Sequence, residues 1–353
     1  MNPFFTKNLL AWNQDLNTRM MPWKGEKDPY KIWISEIILQ QTRVEQGLRY
    51  YEKFIQTFST VCSLAHAPEQ DVFKLWEGLG YYSRCKNLLT SARFICDQLN
   101  GKFPDTYEEI RELKGVGAYT AAAIASFAYQ LPYAVVDGNV MRVLSRYFSI
   151  SEPVDTTEGK KKYTQLAGDL LDRERPDLYN QAIMDFGAVV CKPQQPACTR
   201  CPLQSGCLAY KQGRVHELPL KKKGVRKRSR WLYYFVIIYQ GEVCIRKRTG
   251  RDIWENLYEF VLQEVDTPFF IEDESVLQQN LRALLGHTDF TIRTISHEYR
   301  QELTHQTVTG KFVEVELHAP SPHLSGYERV SRPALDQYPF PRFITRYLQN
   351  TVD

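Results

Sequence analysis

Four of the eight cysteines fall within one short stretch, CKPQQPACTRCPLQSGC, from Cys191 to Cys207. They could be zinc ligands, disulfide partners or something else, and that choice decides what sort of protein this is. Its spacing is Cys-x6-Cys-x2-Cys-x5-Cys, with one close pair only. Structural zinc is usually held by two separated close pairs. Four thiolates suit soft metals, so zinc and an iron–sulfur cluster both remain open from spacing alone. Disulfides are not expected. The N-terminus, MNPFFTKNLLAWNQDL, lacks the basic and long apolar regions of a secretory signal, and the compartment expected is the reducing cytosol. The scattered cysteines, Cys62, Cys85, Cys96 and Cys244, are then read as small buried apolar residues.

The 353 residues suffice for about two domains of ~150 residues. No apolar run reaches the ~18 residues of a membrane span. A net charge of +4 permits a nucleic-acid partner without requiring one. Residues 1–210 read as helical, with IWISEIILQQTRVEQGLRYYEKFIQTF spaced as a helix and free of proline. The segment 211–230 carries nine Lys or Arg against one Glu and no apolar period, which marks a basic linker. Residues 231–353 change period: WLYYFVIIY, EVCIRKR and TVTGKFVEVEL are strand-like, whereas ESVLQQNLRALLG and PRFITRYLQ are helix-like. This half predicts a small α+β domain.

In the helical half, Thr106 and Glu109 form a candidate capping box. The turn at Gly115 and Gly117 then precedes a second helix, giving a helix–hairpin–helix at about 106–129. Glycines there let a backbone approach a phosphate, and the free N–H groups of the next helix attract it. A plain interhelical turn is the simpler reading of the glycines alone. Downstream, VVDGNV places Asp137 where it opens another helix as an N-cap. Glu36 lies in WISEIILQQT with Ile32, Trp33, Leu39 and Gln40 as helical neighbours. An apolar setting would keep its carboxyl neutral; a solvent-facing position would not. Tyr81 and Tyr82 in GLGYY read by themselves as core aromatics.

Taken together, MPWKGEKDPYKIWISEIILQQTRV, GLGYYSRCKNL, LKGVGAYT, VVDGNVMRV and NQAIMDFGAVVC resemble the MutY family of adenine DNA glycosylases, in the endonuclease III superfamily. The resemblance runs through the whole first domain; Lys24 stands where Arg or Gln is more usual. It implies an all-α helix–hairpin–helix glycosylase domain whose Cys191, Cys198, Cys201 and Cys207 hold a 4Fe–4S cluster. It implies that Glu36 protonates a flipped adenine, that Asp137 stabilises the cationic sugar, and that Tyr119 and Asn139 line the pocket. Asn139 read alone is also a helix-opening turn residue. Lyases of the superfamily carry a lysine where this chain has Tyr119, and a phenol forms no Schiff base. Lys114 sits in the hairpin turn, outside that position. Gln41 and Tyr81 match residues that wedge into the duplex, and Gly115 and Gly117 would grip its backbone. Lys192, Arg200 and Lys211 would face phosphates around the cysteine loop.

The second half resembles the MutT-like (Nudix) domain of the same family, which implies recognition of 8-oxoguanine. Thr304 and His305 in LTHQTVTGKF match the reading loop; a strand-end histidine without that role is the plainer alternative. The hydrolase motif Gly-x5-Glu is broken, since counting from Gly250 puts Asn256 at the glutamate position. Magnesium-dependent hydrolysis of nucleotides is therefore not expected. The implied partner is double-stranded DNA with 8-oxoguanine:adenine or guanine:adenine mispairs, met by a cytoplasmic, nucleoid-associated monomer. Two competing readings remain: a pyrimidine-specific lyase of the endonuclease III type, and a non-catalytic DNA-binding module with an iron–sulfur centre.

Overall fold

A computed structural model describes residues 3–222, 227–268, 273–286 and 289–350. Packing divides the chain into two units, Met1–His66 with Asn87–Lys223, and Ala67–Lys86 with Gly224–Asp353. The helices are α1 (Pro3–Asp15), α2 (Pro29–Leu39), α3 (Val44–Thr57), α4 (Val61–Ala65), α5 (Glu69–Trp76), α6 (Ser83–Gln98) and α7 (Tyr107–Glu112). They continue with α8 (Ala118–Tyr129), α9 (Gly138–Tyr147), α10 (Thr157–Leu170), α11 (Pro176–Val189) and α12 (Leu208–Lys211). The second half adds α13 (Glu274–Leu285) and α14 (Arg342–Asn350).

In the first unit, α2 is buried almost all round, from Tyr30 through Ile38. Its unbroken apolar surface makes it a central helix, packed on α3 and α8. Asp28 caps it by accepting from the Tyr30 N–H, and Pro29 supplies the first helical position. The alanines at 121–123 and 125 of α8 are buried, small enough for close helix contact. A second cluster joins Phe5, Leu9 and Trp12 of α1 to α9, α10 and α11. The long helical pattern after Ile32 is two helices. The break lies at residues 40–43, where Gln41 adopts φ 58°.

The basic segment 211–230 is not an open linker in its first half. Val215 and Leu218 are buried with Ala209, and Val154 donates to the Leu220 carbonyl. Buried apolar residues interspersed among the charges outweigh the charge pattern there. Residues 223–226 of that segment lie outside the described residues, and the first strand already begins at Arg228.

In the second unit β1 (Arg228–Tyr239) runs parallel to β7 (Gln306–Leu317) in an unbroken register from Arg228↔Gln306 to Tyr239↔Leu317. Antiparallel neighbours are β2 (Glu242–Lys247) and β4 (Val261–Val265) on β1, β3 (Tyr258–Glu259) on β2, and β8 (Glu328–Ser331) on β2. On β7 sit β5 (Phe290–Ile295) and β6 (Tyr299–Glu302). Gly310 in β7 is required, because a Cβ there would lie 1.7 Å from the Leu232 carbonyl oxygen. Leu277, Leu281 and Leu285 of α13 cover the sheet face of Tyr233, Phe235 and Ile237. The opposite face, with Tyr234 and Phe312, packs on Phe343 and Tyr347 of α14. Alternate strand residues thus serve two helical layers.

Two scattered cysteines depart from expectation. Cys62 and Cys96 form a disulfide with Cα atoms 5.1 Å apart, and both are only half-buried. Helical packing brings the end of α6 beside α4, a proximity that a separation of 34 residues conceals. Cys85 and Cys244 are buried free thiols, as read.

Candidate active site and cysteine centre

A cleft of about 400 Å³ in the first unit is lined by Glu36, Tyr119, Asp137, Asn139 and Met184 among others. Three helices meet there. Glu36 comes from the core helix α2 and is only 7% exposed. Burial raises its carboxyl; a hydrogen bond with Tyr119 opposes this, and the charge of Asp137 adds to it, leaving the group at about 7. Tyr119 lies in the first turn of α8, and burial pushes its phenol well above the usual range, with both carboxylates adding to the effect.

Asp137 is the N-cap of α9 and accepts from the Val140 N–H at 2.7 Å. Its second oxygen accepts from Asn139 Nδ2 at 2.6 Å. Burial raises the Asp137 carboxyl, while these donors and the nearby Arg142 charge lower it. The cap bond uses one Asp137 oxygen, and Asn139 holds the other. Glu36 has an almost wholly apolar setting, whereas Asp137 has donors. Two carboxyls in one cleft with unlike environments are suited to unlike protonation states.

Several supporting residues escaped sequence reading. Arg142 donates to the Asn139 side chain at 2.8 Å, and to the carbonyls of Gly187 at 2.7 Å and Cys191 at 2.8 Å. Gly187 is needed because a Cβ there would lie 2.7 Å from Asn139 Cβ. One turn later Arg146 donates to the carbonyls of Lys192, Pro193 and Leu218. Arg142 and Arg146 are both buried. The available signal was two arginines four apart on a helix with an apolar face, VMRVLSRY. Asp185 is fully buried and accepts from Asn17, Arg19, Lys24 and Gln181. The unusual Lys24 is therefore ion-paired, 3.1 Å from Asp185.

Cys191 lies near enough to Cys198, Cys201 and Cys207 for its charge to raise each of those thiols. Burial, followed by the neighbouring thiolates, pushes Cys201 up to about 12. A cationic core between the sulfurs would offset that cost. Among the described residues, no three of these sulfurs come within 4.8 Å of one another. One tetrahedral zinc would hold its thiolates ~3.8 Å apart, from Zn–S bonds of ~2.3 Å. A four-thiolate set is of the kind that holds soft metals or an iron–sulfur core. Arg146 reaches within 3.5 Å of Cys191 Sγ, and Gly206 makes room for the Tyr147 hydroxyl.

The hairpin runs from α7 through residues 113–117 into α8. Thr106 caps α7 by accepting from the Glu109 N–H, while its hydroxyl donates to the Glu109 carboxylate. Half of the expected box is present, since Glu109 takes the Thr106 hydroxyl and not its N–H. Gly115 has φ +81°, and a Cβ there would lie 2.7 Å from Asn87 Cβ, so glycine is required. Gly117 is extended, with open space where a Cβ would stand. Lys114 is exposed and does not line the cleft. Gln41 is exposed at the break after α2.

In the second unit Tyr81 is exposed at φ 50° and Tyr82 is buried. Thr304 and His305 are exposed in the turn between β6 and β7. The Tyr81 hydroxyl is 2.5 Å from Thr304 Oγ1, and both residues line a depression with His305 and Trp254. Two residues predicted for separate tasks are thereby neighbours within this unit.

Fold and cleft together define a helix–hairpin–helix base-excision glycosylase joined to a Nudix-type domain. Residues 34–167 match the HhH-GPD superfamily of base excision DNA repair proteins, and residues 233–350 match a NUDIX domain. An adenine DNA glycosylase of Buchnera aphidicola subsp. Baizongia pistaciae is 34% identical over 305 residues, spanning 86% of this chain and 84% of its own. The adenine DNA glycosylase of Rattus norvegicus is 42% identical over 61% of this chain and 44% of its own. A solved thermostable thymine-DNA glycosylase shares the helical fold, with a TM-score of 0.55 and 30% identity, over 59% of this chain and 95% of that one. The chain belongs to the adenine DNA glycosylase (MutY) family.

Proposed function

We propose that this protein removes adenine opposite 8-oxoguanine or guanine in double-stranded DNA, as a monofunctional glycosylase of base excision repair. The observation that carries this reading is Glu36, a buried carboxyl held at about 7 in a cleft shared with Asp137 and Tyr119. The adenine leaves the base stack, at a cost of a few kcal/mol, and enters the cleft. Glu36 gives its proton to N7 of the purine. The C1′–N9 bond then breaks, its electron pair leaving with the base, and the sugar becomes an oxocarbenium-like cation. Asp137, oriented by Asn139 and the Val140 N–H, stabilises that cation. Water adds to C1′ and loses a proton to a carboxylate, as in glycoside hydrolysis.

Lyase chemistry needs a free amine at the sugar. Tyr119 offers none, and the lysines lining the cleft, Lys24 and Lys27, are paired with Asp185 and Asp177. Gln41 and Tyr81, both exposed at left-handed backbone positions, are suited to fill the gap left by the base. The hairpin at Gly115 and Gly117 holds phosphate. Thr304 and His305 read the base opposite. Cys191, Cys198, Cys201 and Cys207 hold a 4Fe–4S cluster, which supplies a cross-link that orders the loop bearing exposed Lys192 and Arg200. A DNA substrate suits a nucleoid-associated protein, and no helix among the described residues is long and apolar enough to cross a membrane.

The test is single-turnover cleavage of a duplex with one adenine opposite 8-oxoguanine. Strand breakage only after alkali is expected. Breakage without alkali would mean that an amine attacks the sugar. No release of adenine by iron-replete protein would favour a non-catalytic binding module.

A further inference from the structure

Away from the cleft, the disulfide Cys62–Cys96 is flanked by His66 and Asp97. His66 caps the C-terminus of α4, four residues after Cys62, so both side chains lie on one helical face. Cys96 and Asp97 are adjacent in the last turn of α6. His66 Nε2 lies 3.9 Å from Cys96 Sγ and 3.9 Å from an Asp97 carboxylate oxygen. These three ligand atoms fall within 4.8 Å of one another, and Cys62 Sγ is bonded to one of them. The set is two sulfurs, one imidazole nitrogen and one carboxylate oxygen, all within the first unit.

We infer that the reduced form of this site binds one zinc ion through Cys62, Cys96, His66 and Asp97. Tetrahedral zinc with Zn–S ~2.3 Å, Zn–N ~2.0 Å and Zn–O ~2.1 Å needs S···N and N···O separations of roughly 3.6 and 3.4 Å. The 3.9 Å separations must close by a few tenths of an ångström, which the exposed His66 and Asp97 side chains allow, and the two sulfurs, bonded in the disulfide, must part to ~3.8 Å once that bond is broken. In the disulfide each sulfur lacks the thiolate charge that zinc requires. A dithiol or phosphine reductant supplies two electrons, the S–S bond breaks, and two thiols form as the reductant is oxidised. Zinc then displaces the two thiol protons to solvent. The site ties α4 to α6 in either state, by a covalent bond when oxidised and by the metal when reduced.

The test uses full-length, iron-replete protein, treated with a phosphine reductant or left oxidised, then equilibrated with zinc ion and desalted. Zinc and iron are counted per chain. One additional zinc is expected in the reduced sample only, with iron unchanged and a higher Tm than reduced protein without zinc. His66→Ala, a change at an exposed side chain, should weaken zinc binding about tenfold or more, as losing even an outer-shell partner of a ligand does. Cys62→Ser should abolish the added zinc. Equal zinc uptake by wild type, Cys62→Ser and His66→Ala, or no uptake after reduction, would overturn the inference. Should Cys62→Ser fold poorly, the His66→Ala titration decides alone.

Discussion

At the residue scale, Glu36 shows how burial dominates a chemical property. Its carboxyl moves from an ordinary 4.5 to about 7, chiefly because the folded core disfavours its charge. The folded chain therefore holds the proton more tightly than the unfolded chain. Below pH 4.5 the group is neutral in both states and costs nothing. As pH rises towards 7 the unfolded chain ionises first, and stability falls by about 3 kcal/mol until the folded group also ionises. Glu36→Gln should gain about that much relative to wild type between pH 4 and pH 8, read by thermal melts across the range. The same substitution should cut adenine release by roughly 10²–10⁴-fold, and wild-type single-turnover rates should fall as pH rises through 7. A pH-independent stability difference would place Glu36 in water. The position of Glu36 among apolar neighbours was legible from WISEIILQQT, but the helical period left both faces open until α3 and α8 closed round α2.

At the element scale, α9 and α11 act as a pair. Asp137, Asn139, Arg142 and Arg146 share α9, and Gly187 of α11 gives Asn139 its place. Gly187→Ala puts a methyl group against Asn139, which should cost about 1–3 kcal/mol by overpacking. It should also slow adenine release more than it changes DNA affinity, checked by single-turnover rates beside a binding titration. Cys198→Ser should give poorly folded, iron-poor protein, measured by yield, iron content and Tm; normal stability without iron would contradict a structural cluster. The helices, their caps and the strands were readable because periodicity and capping are local. The break at residues 40–43 was not, because Gln41 gives no warning of its left-handed backbone. The first half of the basic segment was also misjudged, since charge outnumbers the buried Val215 and Leu218 that anchor it.

At the scale of the whole molecule, the chain has two units that do not follow its halves. Residues Ala67–Lys86 belong with the sheet unit. There Lys247 pairs with Glu69, the Lys74 ammonium donates to the Tyr338 carbonyl, and the Phe340 N–H donates to Glu77. A chain ending at residue 223 should lose these contacts and melt lower. The ion pair contributes about 0.2–1 kcal/mol and each charge-assisted hydrogen bond about 1.5–3 kcal/mol, so a drop of several kcal/mol at most is expected from these contacts. It should still remove adenine, with its preference for 8-oxoguanine over guanine as the opposite base lost, read as the ratio of the two single-turnover rates. A retained preference would move recognition of the opposite base out of the second half.

By itself the sequence determined which chemical groups were present and on what local structure. It showed a carboxyl in an apolar helix, an aspartate at a helix start, a tyrosine just after a glycine turn, and four closely spaced cysteines. Those traits depend on neighbours a few residues away. Only the tertiary structure decided which distant groups meet. It brought Glu36, Tyr119 and Asp137 from three helices to one cleft, buried Asp185 among its donors, and set Cys62 against Cys96 beside His66. Such meetings depend on how helices pack, and no local period along the chain records them.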